Sequence, residues 1–298
     1  MDDTTLTLET LALPKEKTYF NVAVAISIIV WVLVLVSCVG IIYVLLGALI
    51  AWIANGLLIA RIKSESVQIG DKQYPELSAT FLEMCQRLGV SKIPDLYILQ
   101  AGGVLNAFAT RHSGRNFVVI YSSFLEATGP VSSQIKFLIG HEIGHIQRNH
   151  LLKHLLLLPS ALIPLIGEAY HRACEATCDR FGAFAANDVD GATRALLILG
   201  AGREAALHLD PGQFALQHFK ERGFFISWHE LISKYPTLSQ RVSNLIALNY
   251  PDYGRQPARN PWAYVCAFLF NWRMLVGLYI LFVILIALGT PMPHPPKP

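Results

Sequence analysis

The sequence predicts a mainly α fold of the α+β kind: a helix-rich domain with a small β-sheet, joined to transmembrane helices. Three observations lead there. Residues 20–60 carry no charged side chain at all. Two short stretches, 94–99 and 116–121, are dense in β-branched and aromatic residues and read as strands. Most of what remains between 61 and 260 is helix-compatible, including a run that reads His141-Glu142-Ile143-Gly144-His145.

Composition agrees with a chain partly solvated by lipid. Charged residues make up 15% and mean hydropathy is +0.42, whereas soluble domains carry roughly 25% charged residues. The net charge of +3 is too small to suggest a nucleic-acid partner. Five scattered cysteines form no Cys-x-x-Cys pair, which argues against a disulfide framework or a cysteine metal site.

Taken in order, residues 1–19 form a short N-terminal segment expected on the cytoplasmic side. The uncharged run 20–60 would make a helix about 60 Å long, roughly twice the hydrocarbon thickness, so a hairpin breaking near residues 37–40 is expected. Lys15 and Lys17 precede it and Arg61 and Lys63 follow it. Positive charge on both flanks places both ends in the cytoplasm, and an inner-membrane protein is the expectation. A domain follows over 61–260, with a helix at 75–88, the two strands, then mostly helix. A C-terminal crossing is expected at 261–289, with Trp262 and Trp272 as interfacial anchors and Arg273 snorkelling outward. The tail 290–298 has five prolines in nine residues and should be unstructured.

The chemistry rests on residues 141–145. Histidines four apart on a helix share one face, so His141 and His145 can offer two imidazole nitrogens to one zinc ion, with Glu142 beside them as general base. That arrangement implies metal-assisted peptide hydrolysis. A catalytic zinc usually takes three protein ligands. In the helix-compatible stretch 168–186, Glu175 and Asp179 are four apart and share a face. Glu175 suits the third ligand, and Asp179 a carboxylate that orients a ligand histidine through its other nitrogen. Acidic pairs at this spacing are more often a solvated face; following the histidine pair, the ligand reading is favoured. His171 remains an alternative ligand. His150 lies five residues beyond His145 and points off the metal-facing side.

The apolar run 151–167 resembles a membrane span, yet it separates the histidine pair from Glu175. Its length allows at most one crossing, and one ion requires both sides to meet. It should therefore be re-entrant, interfacial or packed on the domain.

Several ordered pieces resemble the HtpX and CaaX-prenyl-protease type of membrane zinc metallopeptidase, over roughly residues 70–250. Leu105-Asn106-Ala107-Phe108-Ala109-Thr110 resembles the family's Asn-Ala-Phe-Ala segment. Phe137-Leu138-Ile139-Gly140 leads into the motif, and His150 continues the same histidine-bearing helix. Cys174-Glu175-Ala176-Thr177-Cys178-Asp179-Arg180 resembles the Glu-x-x-x-Asp-Arg element. Tyr235-Pro236-Thr237-Leu238-Ser239-Gln240-Arg241 resembles a His-Pro-x-x-x-x-Arg element, with tyrosine where the family usually has histidine.

The resemblance implies a zincin-like, gluzincin-type catalytic domain holding one Zn2+ per subunit. It implies an endopeptidase acting on membrane or misfolded polypeptides. Arg241 or Tyr235 would stabilise the oxyanion, although Arg241 equally suits a salt bridge to Asp179. Asn106 would sit beside a sheet edge that receives substrate by strand addition, or serve only as a turn asparagine. Two other readings stay in view: a protease that processes one specific peptide, and an inactive membrane chaperone or scaffold of the same fold.

Overall fold

The computed structural model describes residues 7–36 and 38–271, together with Tyr279, Phe282, Val283 and Ile286. In chain order it contains α1 (Pro14–Val36), α2 (Cys38–Glu65), β1 (Val67–Gln68), α3 (Pro75–Arg87), β2 (Asp95–Leu99), β3 (Ala107–His112) and β4 (Arg115–Tyr121). There follow α4 (Ser122–Thr128), α5 (Ser133–Gln147), α6 (His150–Leu156), a 3-10 turn (Leu158–Leu162), α7 (Ile166–Ala186) and α8 (Val189–Ala201). The described elements continue with α9 (Arg203–His208), α10 (Pro211–Lys220), α11 (Phe224–Ile232), α12 (Leu238–Ile246), a 3-10 turn (Pro251–Gly254) and α13 (Pro261–Leu269). The fold is mainly α with a small mixed sheet, as the sequence predicts.

The sheet has four strands in the order β1-β2-β4-β3. The two expected strands are β2 and β4, which pair in parallel. β1 and β3 are additions, each antiparallel to its neighbour. β3 and β4 form a hairpin across Ser113 and Gly114, both at positive φ (48° and 81°). That backbone is the one a tight two-residue hairpin turn requires.

The core is built around α5. Ser132 caps it, its hydroxyl accepting from the Ile135 N–H at 3.2 Å. From Phe137 to Gly144 every residue is buried. A helix buried all round needs partners on every side, and α7 supplies the closest. A Cβ at Gly140 would collide with Ala185, and one at Gly182 would lie 2.6 Å from the Phe137 carbonyl oxygen. The missing side chains let the two backbones approach closely enough for polar groups on facing surfaces to touch.

α1 (Pro14–Val36) and the Gly40–Glu65 part of α2 are both long and apolar enough to cross a membrane. Their apolar side chains are widely exposed, among them Ile28, Ile29, Leu35, Ile42, Leu45 and Leu57. The outer ends of both helices rest on the same domain. Near the start of α1, Glu16 is buried against Arg148 and His150. Near the end of α2, Ile59 and Ile62 pack with Tyr97, Phe117 and Val119 of the sheet.

Segment 151–167 is not one long helix. It consists mainly of the rest of α6 and a 3-10 turn, with Pro159 in that turn's first positions. It runs beside α1: Trp31 Nε1 donates to the Leu156 carbonyl at 3.0 Å, and the Ser160 N–H donates to Ser27 Oγ at 3.3 Å. Leu152, Leu155, Leu156 and Leu158 stay exposed on it. α13 occupies the beginning of the expected C-terminal crossing. Most of 272–289, and the tail 290–298, lie outside the described residues.

Candidate metal centre

α5 presents His141 and His145 on one face, and α7 presents Glu175 and Asp179 opposite. The His141 and His145 Nε2 atoms are 3.3 Å apart. Glu175 Oε2 lies 3.3 Å from His141 Nε2, and Glu175 Oε1 lies 3.5 Å from His145 Nε2. One ligand atom from each of the three residues thus falls within a 4.8 Å cluster. Two imidazoles and a carboxylate are a donor set suited to catalytic zinc, and a cation among them would meet lone pairs rather than carbon.

Behind the cluster, His141 Nδ1 meets Asp179 Oδ1 at 3.0 Å. A hydrogen bond there leaves Nε2 facing the cluster, the arrangement expected of a metal-ligating histidine. Asp179 is itself held by Arg241, whose Nε reaches Oδ2 at 2.9 Å and whose Nη2 reaches Oδ1 at 2.6 Å. Arg241 arrives from the first turn of α12, where the Thr237 hydroxyl caps the helix by accepting from the Gln240 N–H. Of the two roles weighed for Arg241, the ion pair with Asp179 is the one the side chain makes.

Burial alone would keep His141 neutral. Hydrogen bonds and charges from Asp179 and Glu175 outweigh it and lift the imidazole to about 10. His145, dominated by burial, falls to about 3. Burial would also raise Glu175, but the His141 hydrogen bond and the two histidines bring it down to about 2. Asp179 is held far below the usual carboxylate range: burial opposes ionisation, but Arg241 and His141 overcome it. These values describe the protein groups alone. The negative charge gathered around His141 is charge that a cation could answer in place of a proton.

Glu142, next to His141, is buried and points into the same cleft. Burial, reinforced by the charge of Glu175, lifts its carboxyl to about 7, against the opposing influence of His141 and a backbone hydrogen bond from Ala109. The cleft has a volume of about 340 Å³ and is walled by His141, Glu142, His145 and Glu175, with Ala109 of β3 and Tyr235. β3 ends the sheet order, so one of its backbone edges faces away from β4. A larger cavity of about 550 Å³ reaches Asp179 from the other side. It touches none of His141, Glu142, His145 or Glu175, all four of which line the smaller cleft.

The other predicted residues fall as follows. Tyr235 is 61% exposed and lines the cleft from the loop between α11 and α12. Asn106 lines it just ahead of β3, its Oδ1 accepting from the Ala107 N–H at 2.9 Å. That local bond is a turn asparagine's, although the side chain also borders the cleft. His171 packs against His154, with ring centroids 3.9 Å apart and planes tilted by 32°, and is not in the group that joins His141, His145 and Glu175.

His150 needs correction. It does not continue the histidine-bearing helix: α5 ends at Gln147, Asn149 turns left-handed (φ 52°), and His150 opens α6. Its ring therefore lies against the rear of His145, with the two Nδ1 atoms 3.1 Å apart. Two buried residues that sequence reasoning did not single out also contact it. Glu16 Oε1 lies 3.2 Å from His150 Nε2, and Cys178 Sγ lies 3.6 Å from Nδ1.

Residues 71–166 match the model of Peptidase family M48. Over this stretch the chain is similar to the M48 peptidases. The family is one of metallopeptidases, and the resemblance to its HtpX and CaaX-protease type stands. The M48 match includes His141, Glu142 and His145 but ends before α7 contributes Glu175 and Asp179. No curated protein and no solved structure matches the chain.

Proposed function

We propose that the chain is a membrane-anchored zinc endopeptidase in which His141, His145 and Glu175 hold the metal and Glu142 is the general base. The observation that carries this reading is the convergence of three ligand atoms from α5 and α7 beside Glu142, in a cleft bordered by the edge strand β3.

A zinc ion held by His141, His145 and Glu175 would supply Lewis acidity toward a scissile carbonyl and a nearby water. Glu142 takes the proton from the attacking water and returns it to the departing amine. Asp179 fixes the ring orientation of His141, and Arg241 fixes Asp179. Arg241 commits its Nε and Nη2 to that pair, so oxyanion stabilisation falls to Tyr235. The free edge of β3 offers backbone groups to an extended polypeptide, and Asn106 stands where that strand enters.

Two helices of spanning length associate the protein with a membrane. The contacts of both outer ends with one domain favour an even number of crossings. The flanking Lys15, Lys17, Arg61 and Lys63 favour the cytoplasm for that domain, hence an inner-membrane location. Segment 151–167 is read as re-entrant: it leaves His145 and returns to Glu175, and its exposed leucines lie beside α1, where lipid would cover them. The substrates are accordingly membrane or misfolded polypeptides.

The test uses detergent-purified full-length protein. It should contain close to one zinc per chain and cleave an unfolded reporter polypeptide, with loss on chelation and return on adding zinc. Metal content far below stoichiometric after zinc loading, with no cleavage, would favour a chaperone or scaffold.

A further inference from the structure

The orienting partner of His141 is Asp179, but among the described residues no carboxylate stands directly behind His145. Its Nδ1 faces His150 Nδ1 at 3.1 Å, and His150 Nε2 faces Glu16 Oε1 at 3.2 Å. Glu16 stands in the first turn of α1 and is 1% exposed; His150 is fully buried. We infer that Glu16 and His150 are positioning residues that fix the tautomer and ring orientation of His145, so that the membrane helix α1 takes part in building the metal site. This rests on the ligand assignment proposed above and extends it.

Proton placement follows from the geometry. A carboxylate only accepts, so Glu16 requires the His150 proton on Nε2. A neutral His150 then has a bare Nδ1, which can only accept. The Nδ1 proton of His145 meets that need, leaving the His145 Nε2 lone pair on the side of Glu175 and His141. Reversing any one bond would aim an N–H of His145 at the ligand cluster. The line Glu16–His150–His145 thus does for one ligand what Asp179 does for the other.

Two features hold Glu16 in this role. Arg148 Nη2 and Nε reach Oε1 at 3.0 and 3.2 Å, and Lys153 Nζ lies 3.8 Å away. These cations offset the cost of burying the carboxylate so that it stays an acceptor. The break at Asn149 also matters: continued helix would have carried His150 around α5, away from His145. The Cys178 thiol at 3.6 Å is a weaker competing donor to His150 Nδ1.

The experiment measures zinc affinity by chelator competition on full-length protein in detergent, with cobalt(II) spectra as a second readout. Glu16→Ala and His150→Ala should each weaken zinc binding about 10–100-fold. His150→Asn should recover most of the loss, because an asparagine amide oxygen can take the place of Nδ1 as acceptor. Combining Glu16→Ala with His150→Asn should then add little, since Glu16 acts through the imidazole. Wild-type affinity in both alanine variants would overturn the inference, and so would His150→Asn binding as poorly as His150→Ala. If Glu16→Ala does not fold, the His150 pair carries the test. His141→Ala separates the two claims: zinc affinity unchanged there contradicts the metal site itself, whereas loss there with retention in both alanine variants contradicts only the positioning line.

Discussion

Arg241 grips Asp179 at two points, Nε to Oδ2 at 2.9 Å and Nη2 to Oδ1 at 2.6 Å, with both side chains largely buried. The pair joins α12 to α7 and holds the carboxylate against His141. Removing one member leaves the other charge buried without its partner, a loss typically of about 3–5 kcal/mol. Arg241→Met should therefore lower unfolding stability by that order, seen as a marked fall in the denaturation midpoint in detergent. A variant of wild-type stability whose only defect is in turnover would return Arg241 to the oxyanion role.

Asp179→Asn keeps the shape but removes the charge. Arg241 loses its counter-ion, and the amide can present an NH2 to His141 Nδ1 and disturb its tautomer. Zinc affinity should fall about 10–100-fold, measured by chelator competition. Unchanged affinity would mean that Asp179 does not orient the ligand.

The α5–α7 approach depends on positions without a side chain. Gly182→Ala places a methyl 2.6 Å from the Phe137 carbonyl oxygen, a backbone atom that cannot swing aside. Overpacking of this kind costs about 1–3 kcal/mol. Because α5 carries His141 and α7 carries Glu175, zinc affinity should drop together with thermal stability. A fall in stability with affinity intact would separate helix spacing from ligand geometry.

Tyr235 is exposed, so its hydroxyl should matter to turnover and not to folding. Tyr235→Phe should leave stability within about 0.5 kcal/mol while lowering kcat on a peptide reporter by about 10²-fold, the order seen on removing an oxyanion donor. Full kcat would exclude the hydroxyl from the reaction.

His218 lines the larger cavity and not the cleft of the metal centre, and gives a pH signature of its own. Burial, aided by Arg222, lowers its pKa; Glu230 and a hydrogen bond with Gln256 oppose this, and Arg259 adds to it. A folded-state pKa below the unfolded value means that the unfolded chain binds more protons in the window just below about pH 6.5. The contribution is present above that pH and is lost as pH falls through the window. The wild type should lose more stability than His218→Gln between pH 7.5 and 5, read from melting midpoints. Parallel loss in both would reject this assignment.

What the sequence revealed is what short-range geometry encodes. His141 and His145 share a face by helical spacing alone, and Glu175 and Asp179 do the same. Facing the two pairs rested on the third ligand that a catalytic zinc needs, since nothing local says that α5 and α7 touch, and Gly140 and Gly182 explain the contact only afterwards. β3 was hidden inside a segment read for its resemblance, although Ser113-Gly114 is a turn signal. His150 was misjudged because one left-handed residue, Asn149, breaks the helical phase. Glu16 was invisible: it meets His150 across 134 positions of sequence, a separation that periodicity cannot bridge.

The most direct test of the central claim is Glu142→Gln, assayed for zinc and for cleavage in the same preparation. Zinc should stay near-stoichiometric, because His141, His145 and Glu175 are intact, with cleavage of the reporter polypeptide lost. Zinc-loaded protein that still cleaves at the wild-type rate would contradict the claim.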